Sequence, residues 1–472
     1  MISGLKPYAQ MKTSDVSGVD AVPSHWRVRK LRSVLSPVTE RNRPDLPLLS
    51  VVRERGVVLR DTENKEENHN FIPDDLSNYK VVRAGQFAMN KMKAWQGSYG
   101  VSRHDGIVSP AYFTFGLSGV EGNFFHLAIR SSAYVPFFTR ASDGVRVGQW
   151  DLSQSRMKEI PFLIPPPEEQ AAIVRFLDHA NRRIRRALAT KQKLIRLLEE
   201  QKRAIIHRAV TRGLDPDARL KSSGIEWLDD VPSHWGVLAL KRVLRRLVDC
   251  EHKTAPAVDE SDFRVIRTSA VKSGRIRWEG TYCTTPEAFS AWTQRAIPEA
   301  GDVIFTREAP VGEACVIPPK CAVCLGQRTV LMKVDHRQYR PEFLVHMIYE
   351  GPPRTRIRLA SQGSTVGHFN MDDIGWMPVL RPPVPEQDQI LEFIRGETLG
   401  IERAIVTADR EIQLLREYRT RLFADVVTGK IDVREAVATL PGLIEPEGNE
   451  LDDDEEGEFD SIEDIAIEEQ AA

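Results

Sequence analysis

The side chains best suited to chemistry in this chain are few and scattered. Cys321 and Cys324 stand in a Cys-x-x-Cys spacing, with Cys315 and Cys283 nearby, an arrangement in which thiolates can clasp zinc. The sequence contains one such pair, and the first half of the chain has no counterpart to it. Small apolar core residues are therefore the expected role of these cysteines, with no metal bound. Glu251 and Lys253 match half of a nuclease signature, but no Pro-Asp pair lies at a plausible upstream distance to complete it. No Gly-x-x-x-x-Gly-Lys-Ser/Thr loop is present to cradle phosphates, which argues against ATP chemistry. The Asn/Asp-Pro-Pro-Tyr/Phe tetrapeptide that amino-methyltransferases use on a flipped base is missing, as is a glycine-rich cofactor loop after a strand. The expectation is a chain with no catalytic residue and no cofactor of its own.

What the sequence does offer is recognition chemistry. Arg, Lys, Asn and Gln read base edges, while basic and hydroxyl groups contact phosphates. In the first half the candidates are Lys91, Lys93, Gln96, Arg146 and Gln149, with Trp95 available to pack on a sugar. In the second half they are Arg267, Lys272, Arg275, Arg307, Gln327, Arg328 and His368. The charge distribution supports a polyanionic partner. The net charge is −2, yet the segment from Glu445 to Ala472 holds fourteen Asp/Glu and no Lys/Arg. Without it the chain is a basic body of about +12. The segment itself reads as a disordered acidic tail that aids solubility, or that competes with DNA for the basic surface.

Such side chains need a scaffold, and an internal repeat reveals it. Val22-Pro23-Ser24-His25-Trp26 recurs as Val231-Pro232-Ser233-His234-Trp235, an offset of 209, and Lys12 aligns with Lys221 at the same offset. Pro165-Pro166-Pro167-Glu168-Glu169-Gln170 recurs as Pro382-Pro383-Val384-Pro385-Glu386-Gln387, an offset of 217, and so does Val210-Thr211-Arg212-Gly213 as Val427-Thr428-Gly429-Lys430. Between these anchors the copies agree only in patches, such as Arg83-Ala84-Gly85-Gln86 with Glu299-Ala300-Gly301-Asp302. A shared frame with different interiors implies one task performed on two targets. The twice-matched His and Trp suit a structural turn with the Trp buried, or a docking surface for a partner. Each interior reads as a mixed α/β domain of short strands, including residues 86–90, 111–115, 263–268 and 302–307.

After each interior, proline followed by Glu starts a long stretch free of proline. Helices are predicted over residues 168–211 and 386–428. The second carries a heptad seam of Leu391, Ile394, Thr398, Ile401, Ile405, Ala408, Ile412, Leu415, Arg419, Leu422 and Val426. The first matches it with Val174, Leu177, Asn181, Ile184, Leu188, Lys191, Ile195, Leu198, Lys202, Ile205 and Ala209. A parallel pair would set Lys202 against Arg419. An antiparallel pair sets Asn181 against Arg419 and Lys202 against Thr398, layers that can hydrogen-bond, so an antiparallel coiled coil is predicted. The length permits two to four domains, and no stretch reaches the roughly 20 apolar residues of a membrane span. Five cysteines and an N-terminus without an apolar signal core suggest a reducing, cytoplasmic setting.

The order of these features resembles the specificity subunit of type I restriction–modification systems. The doubled Val-Pro-Ser-His-Trp openings and Glu-Gln helix starts carry the resemblance. Further matches are Gly224-Ile225-Glu226-Trp227, Asp249-Cys250-Glu251-His252-Lys253-Thr254 and Leu325-Gly326-Gln327-Arg328. It extends to about Asp432, and the acidic tail is not part of the family pattern. The resemblance implies an α/β (α+β) fold with two tandem target-recognition domains, each followed by a long helix. The corresponding segments are 1–20, an N-terminal piece; 21–165, the first recognition domain; 166–212, the first helix; 213–229, a linker; 230–381, the second recognition domain; 382–429, the second helix; and 430–472, the C-terminal segment. It further implies a non-catalytic subunit that reads a split double-stranded DNA site, with the helices setting the gap. Two modification subunits would methylate adenine with S-adenosylmethionine, and restriction subunits would use ATP and Mg2+ to translocate and cleave.

Overall fold

The computed structural model describes residues 5–14, 16–61, 72, 73, 75–144, 150–361 and 369–441. Arg146, Gln149, His368 and the acidic segment lie outside the described residues. The chain divides into two compact units, residues 1–190 with 411–472, and residues 191–410. The division cuts both long helices, so each unit holds one interior and one end of each helix.

In the first unit an antiparallel sheet runs in the order Leu35–Pro37, Phe113–Leu117, Phe87–Met89, Tyr99–Val101. It packs on the helix Gly122–Ile129, and Phe87, Phe115, Phe124, Phe125, Phe138 and Phe162 are all buried in the shared core. Each such ring contributes roughly 1.5–3 kcal/mol of transfer free energy. The helix begins on Glu121, whose carboxylate accepts the N–H of Asn123 and of Phe124 and so satisfies two donors of the first turn.

In the second unit the sheet order is Leu244–Asp249, Thr329–Val334, Val303–Arg307, Val311–Val316. Its inward face packs on the helix Pro341–Glu350 through Phe305, Val330, Met332, Phe343 and Leu344. A further sheet joins Tyr282–Cys283, Phe263–Ile266 and Ala322–Leu325, the last two strands parallel. Both four-stranded sheets follow one order: first, fourth, second and third strand in chain sequence. The patch of similarity at Gly85 and Gly301 is the turn before the second strand. Both residues adopt positive φ, 85° and 87°, which explains why glycine recurs there.

Each interior closes at its base. Arg27–Lys30 pairs antiparallel with Pro161–Ile164, and Gly236–Ala239 pairs likewise with Pro378–Arg381. The strand after each opening is thus bonded to the strand before each long helix, which brings the opening beside the helix start.

The long helices span Pro167–Arg212 and Val384–Val427. In the first unit Ile173, Leu177 and Ala180 share a core with Leu422 and Val426, and Arg419 Nε donates to Asn181 Oδ1 at 2.8 Å. In the second unit Ile206 and Ala209 share a core with Ile390 and Ile394. Within each unit one helix number rises as its partner's falls, so the pairing is antiparallel. One layer differs from the sequence reading. Lys202 does not bond Thr398, which is buried; its ammonium donates to Glu402, one turn further along. A carboxylate offers a charge-assisted bond that a hydroxyl cannot, and the four-carbon lysine stem reaches it.

The Asn181 layer supports a prediction. Asn181→Leu should cost the first unit about 1–2 kcal/mol in urea unfolding, because a partly buried guanidinium loses its amide acceptor. Adding Arg419→Leu should recover that loss. A double variant as unstable as the single one would show that the layer contributes packing alone.

Candidate nucleic-acid interface and the paired clamps

The recurrent motifs meet in space. Within the first unit the Trp26 indole, 1% exposed, donates to Glu169 Oε1 at 3.0 Å, while His25 Nε2 lies 2.7 Å from Glu169 Oε2. Within the second unit the Trp235 indole donates to Glu386 Oε1 at 3.0 Å, and His234 Nε2 lies 2.8 Å from Glu386 Oε2. A carboxylate in the first turn of each long helix therefore clamps the opening of its own interior, with favourable placement at the positive helix end. The neighbouring glutamine extends the clamp. Gln170 Oε1 accepts the Glu121 N–H at the start of the core helix, and Gln387 Oε1 accepts the Arg340 N–H at the equivalent place. Lys12 and Lys221 complete the set by donating to the carbonyls of Trp26 and Trp235.

The tryptophans also meet the ends of the long helices. A Cβ on Gly429, φ 75°, would lie 2.4 Å from Pro23 and 3.2 Å from Trp26, and one on Gly213, φ 74°, would lie 3.2 Å from Trp235. Glycine is needed at both positions for conformation and for room. The clamps differ in one respect. The Tyr8 hydroxyl also donates to Glu169, burying that carboxylate to 5% exposure, whereas Glu386 remains 24% exposed. Burial, and then the bond to Glu169, raise the Tyr8 hydroxyl above its ordinary range.

In the second unit four candidate recognition residues gather around one turn. The Gly326 N–H donates to the Ile266 carbonyl, and a Cβ there would come within 2.7 Å of that oxygen, so the chain passes close to Arg267. Arg328 adopts φ 67°, and its carbonyl accepts the Arg307 N–H. Arg267, Gln327 and Arg328 are exposed, and the Gln327 amide reaches Thr254 at 3.4 Å. Arg307 is different: its side chain is 13% exposed and its Nη1 donates to both oxygens of Asp249. It holds the Asp249–Thr254 loop instead of presenting a free guanidinium. Glu251 is likewise occupied, in an ion pair with Arg295. Lys272 and Arg275 lie elsewhere, on the hairpin Val271–Lys272 with Arg275–Ile276, whose turn is held by Tyr349 and Glu313.

Comparison with known proteins follows this geometry. No family model matches the chain. It is 20% identical over 301 residues to a chain assigned as the MjaX specificity subunit of a type I restriction enzyme, from Methanocaldococcus jannaschii, covering 61% of this chain and 63% of that one. The chain thus spans less than two thirds of that relative's length. A solved structure concerning complex assembly and conformational transition of the type I R-M system superposes with a TM-score of 0.61 at 15% identity, over 87% of this chain and 99% of that one. The chain shares the fold of that type I R-M structure. The HsdS subunit of Thermoanaerobacter tengcongensis aligns at a TM-score of 0.46 and 15% identity, over 88% of this chain and 100% of its own.

In the first interior, Lys91 is paired with Asp151 at 2.8 Å, and Lys93 is exposed at the start of a short turn that includes Gln96. Trp95 packs against Trp150 with ring centroids 5.3 Å apart, so its face is already occupied. Three cysteines of the second interior, Cys283, Cys315 and Cys324, lie in strands, and Cys250 and Cys321 stand just outside them. Cys283, Cys315 and Cys324 are buried, and burial pushes the Cys315 and Cys324 thiols up to about 12. Neutral thiols of this kind act as small apolar residues.

A partly buried histidine gives the first interior an acid-sensitive point. Burial, reinforced by Arg130 and Arg103, lowers His126 to about 3, and its Nδ1 accepts the Val101 N–H at 3.1 Å. Between pH 6.5 and 3 the unfolded chain binds a proton at this ring that the folded chain refuses. Stability is therefore complete above pH 6.5 and falls as pH drops, by about 1–2 kcal/mol at pH 5. His126→Gln should flatten that part of the pH profile in urea titrations at pH 7 and pH 5. An unchanged slope would place the acid sensitivity elsewhere.

In the sequence Glu169, Gln170, Glu386, Gln387, Lys12 and Lys221 are legible as recurrent positions but not as partners in a clamp, and Tyr8 carries no signal at all.

Proposed function

We propose that this chain is the DNA-reading specificity subunit of a type I restriction–modification complex. Each interior reads one half of a split double-stranded site, and the paired helices set the gap between halves. The observation that carries this reading is the doubled clamp. An identical Glu–His–Trp frame holds two interiors of one strand order and different surfaces, as two targets read by one device require. The cluster of Arg267, Gln327 and Arg328 suits base-edge and phosphate contact. In the first interior Lys93 and Gln96 are the described residues that present equivalent groups, and Lys91 joins them if DNA displaces Asp151.

The reaction belongs to partners in this reading. Two modification subunits dock on the long helices and openings and methylate adenine with S-adenosylmethionine, and restriction subunits supply ATP- and Mg2+-dependent translocation and cleavage. Exposed Phe393, Leu399 and Val406 on the second long helix offer apolar contacts for such docking. Among the described residues no helix is long and apolar enough to cross a membrane, and a cytoplasmic setting fits the proposed partners.

The test is a map of methylated adenines in DNA from cells co-expressing this chain with its modification subunit. A single split motif with a fixed gap is expected, and it should vanish when this chain is omitted. Exchanging residues 21–165 for those of another specificity subunit should change one half-site and leave the other intact. A change in both halves would overturn modular reading.

A further inference from the structure

Within the first unit the outer face of the first long helix carries a line of cations. His179, Arg182, Arg183 and Arg186 follow Arg175 at four, seven, eight and eleven residues, which places all five on one side of the helix. This side lies away from the seam of Leu177, Asn181 and Ile184. Arg182, Arg183 and Arg186 are exposed, and among the described residues no carboxylate forms an ion pair with any of the three. Their fields meet at His179, which is lowered by burial and then by Arg183, Arg182 and Arg186. Like charges so placed repel one another and favour a polyanion.

The described chain ends beside this line. Arg175 Nη2 lies 3.3 Å from the carbonyl of Leu440 and 3.2 Å from that of Pro441. The acidic segment, with fourteen carboxylates and no cation, follows four residues later, at Glu445. Arg182 to Arg186 stand roughly 10–17 Å along the helix from Arg175 at 1.5 Å per residue. Six residues of extended chain, from Pro441 to Glu447, span up to about 20 Å. The last described residues contact Arg175, and the segment that follows them is oppositely charged and long enough to reach the arginines.

We propose that residues 445–472 occupy the Arg182–Arg183–Arg186 stripe as an intramolecular polyanion, which DNA phosphates must displace. The effect is to suppress binding to random sequence, where affinity comes from phosphate contacts, more than binding to a preferred site, where base contacts add to it. This inference rests on the DNA-reading function proposed above.

A signature follows from counterion release. When phosphates replace tail carboxylates on the stripe, fewer salt ions are freed, so the salt dependence of binding is shallower. Neutralising the tail should steepen log K against log salt by at most about 0.9 of a unit per arginine, approached at the low-salt end where the tail is bound. The experiment compares the full chain with a variant carrying Asp452→Asn, Asp453→Asn, Asp454→Asn, Glu455→Gln, Glu456→Gln and Glu458→Gln. Each is also made with Arg182→Gln, Arg183→Gln and Arg186→Gln. Binding to a random-sequence 30-base-pair duplex is measured from 50 to 200 mM salt. Tail neutralisation is expected to tighten binding about tenfold at 50 mM and steepen the slope in the parent, and to do neither in the arginine variant. An equal gain in both backgrounds, or none in either, would overturn the proposal.

A second measurement separates this inference from the DNA-reading function. A synthetic peptide of residues 445–472 is added to the tail-neutralised chain, with no DNA present. Saturable binding that is lost in the arginine variant supports the contact even if the chain binds no DNA. Binding that is unchanged in the arginine variant, or no binding, rejects it even if DNA reading holds.

Discussion

Glu169→Ala is expected to destabilise the first unit by about 3–5 kcal/mol, and Glu386→Ala to destabilise the second by about 1–2 kcal/mol. The chemistry at the two positions is the same and the surroundings are not. Glu169 is 5% exposed and accepts from Tyr8, Trp26 and His25, so its removal strands the buried Tyr8 hydroxyl and Trp26 indole, while the exposed His25 ring can turn to water. Glu386 is 24% exposed and accepts from Trp235 and His234, and water can replace part of what is lost. Tyr8→Phe should narrow the difference by removing one donor from the first clamp. Hydrogen exchange reads the units separately, through the strand pair Arg27–Lys30 with Pro161–Ile164 and the pair Gly236–Ala239 with Pro378–Arg381. Equal losses of protection in the two variants would mean that burial does not set the strength of the clamp.

Arg130→Ala should cost the first interior a similar amount, about 3–5 kcal/mol, and Arg130→Lys at least half of it. The guanidinium stands at the C-terminal end of the helix Gly122–Ile129 and donates to the carbonyls of Tyr99, Arg53 and Glu54 at 2.6, 2.7 and 2.8 Å. It thereby fastens the hairpin Leu49–Val52 with Gly56–Leu59 to the main sheet. Burial lowers its pKa, and the nearby Glu54 opposes that shift; the carbonyl dipoles favour the charged form and so offset part of the cost of burying it. A lysine ammonium is a single point and cannot reach carbonyls on two separate strand ends, so it does not rescue the contact. Exchange protection at Val51 and Val57 should fall in both variants. Retained protection in the lysine variant would show that charge alone holds the hairpin.

The residues most visible in the sequence are those used twice. Trp26 and Trp235 could be read as structural because a large apolar ring recurs within a short invariant frame, and both are buried. The helix limits were legible because proline before the first turn and glycine after the last are local signals. The antiparallel pairing was legible because two polar layers fall at the same heptad positions, and only one orientation avoids setting Lys202 against Arg419.

Contacts that join distant segments were not legible in the same way. Glu169 looks like an ordinary first-turn acid until the strand pair at the base of the interior carries His25 and Trp26 to it. Arg307 looks like a candidate for DNA contact until the sheet places it over Asp249, 58 residues away. The shift of Lys202 from Thr398 to Glu402 depends on how far a flexible stem can reach, which a heptad diagram does not contain. The sequence by itself determined the repeat, the helices and their direction, because periodicity, capping and like-charge repulsion act between near neighbours or equivalent layers. Only the tertiary structure decided which carboxylate each histidine and tryptophan meets, and which basic residues remain exposed. Those outcomes depend on chain segments brought together by strand pairing and core burial, and no local spacing encodes that proximity.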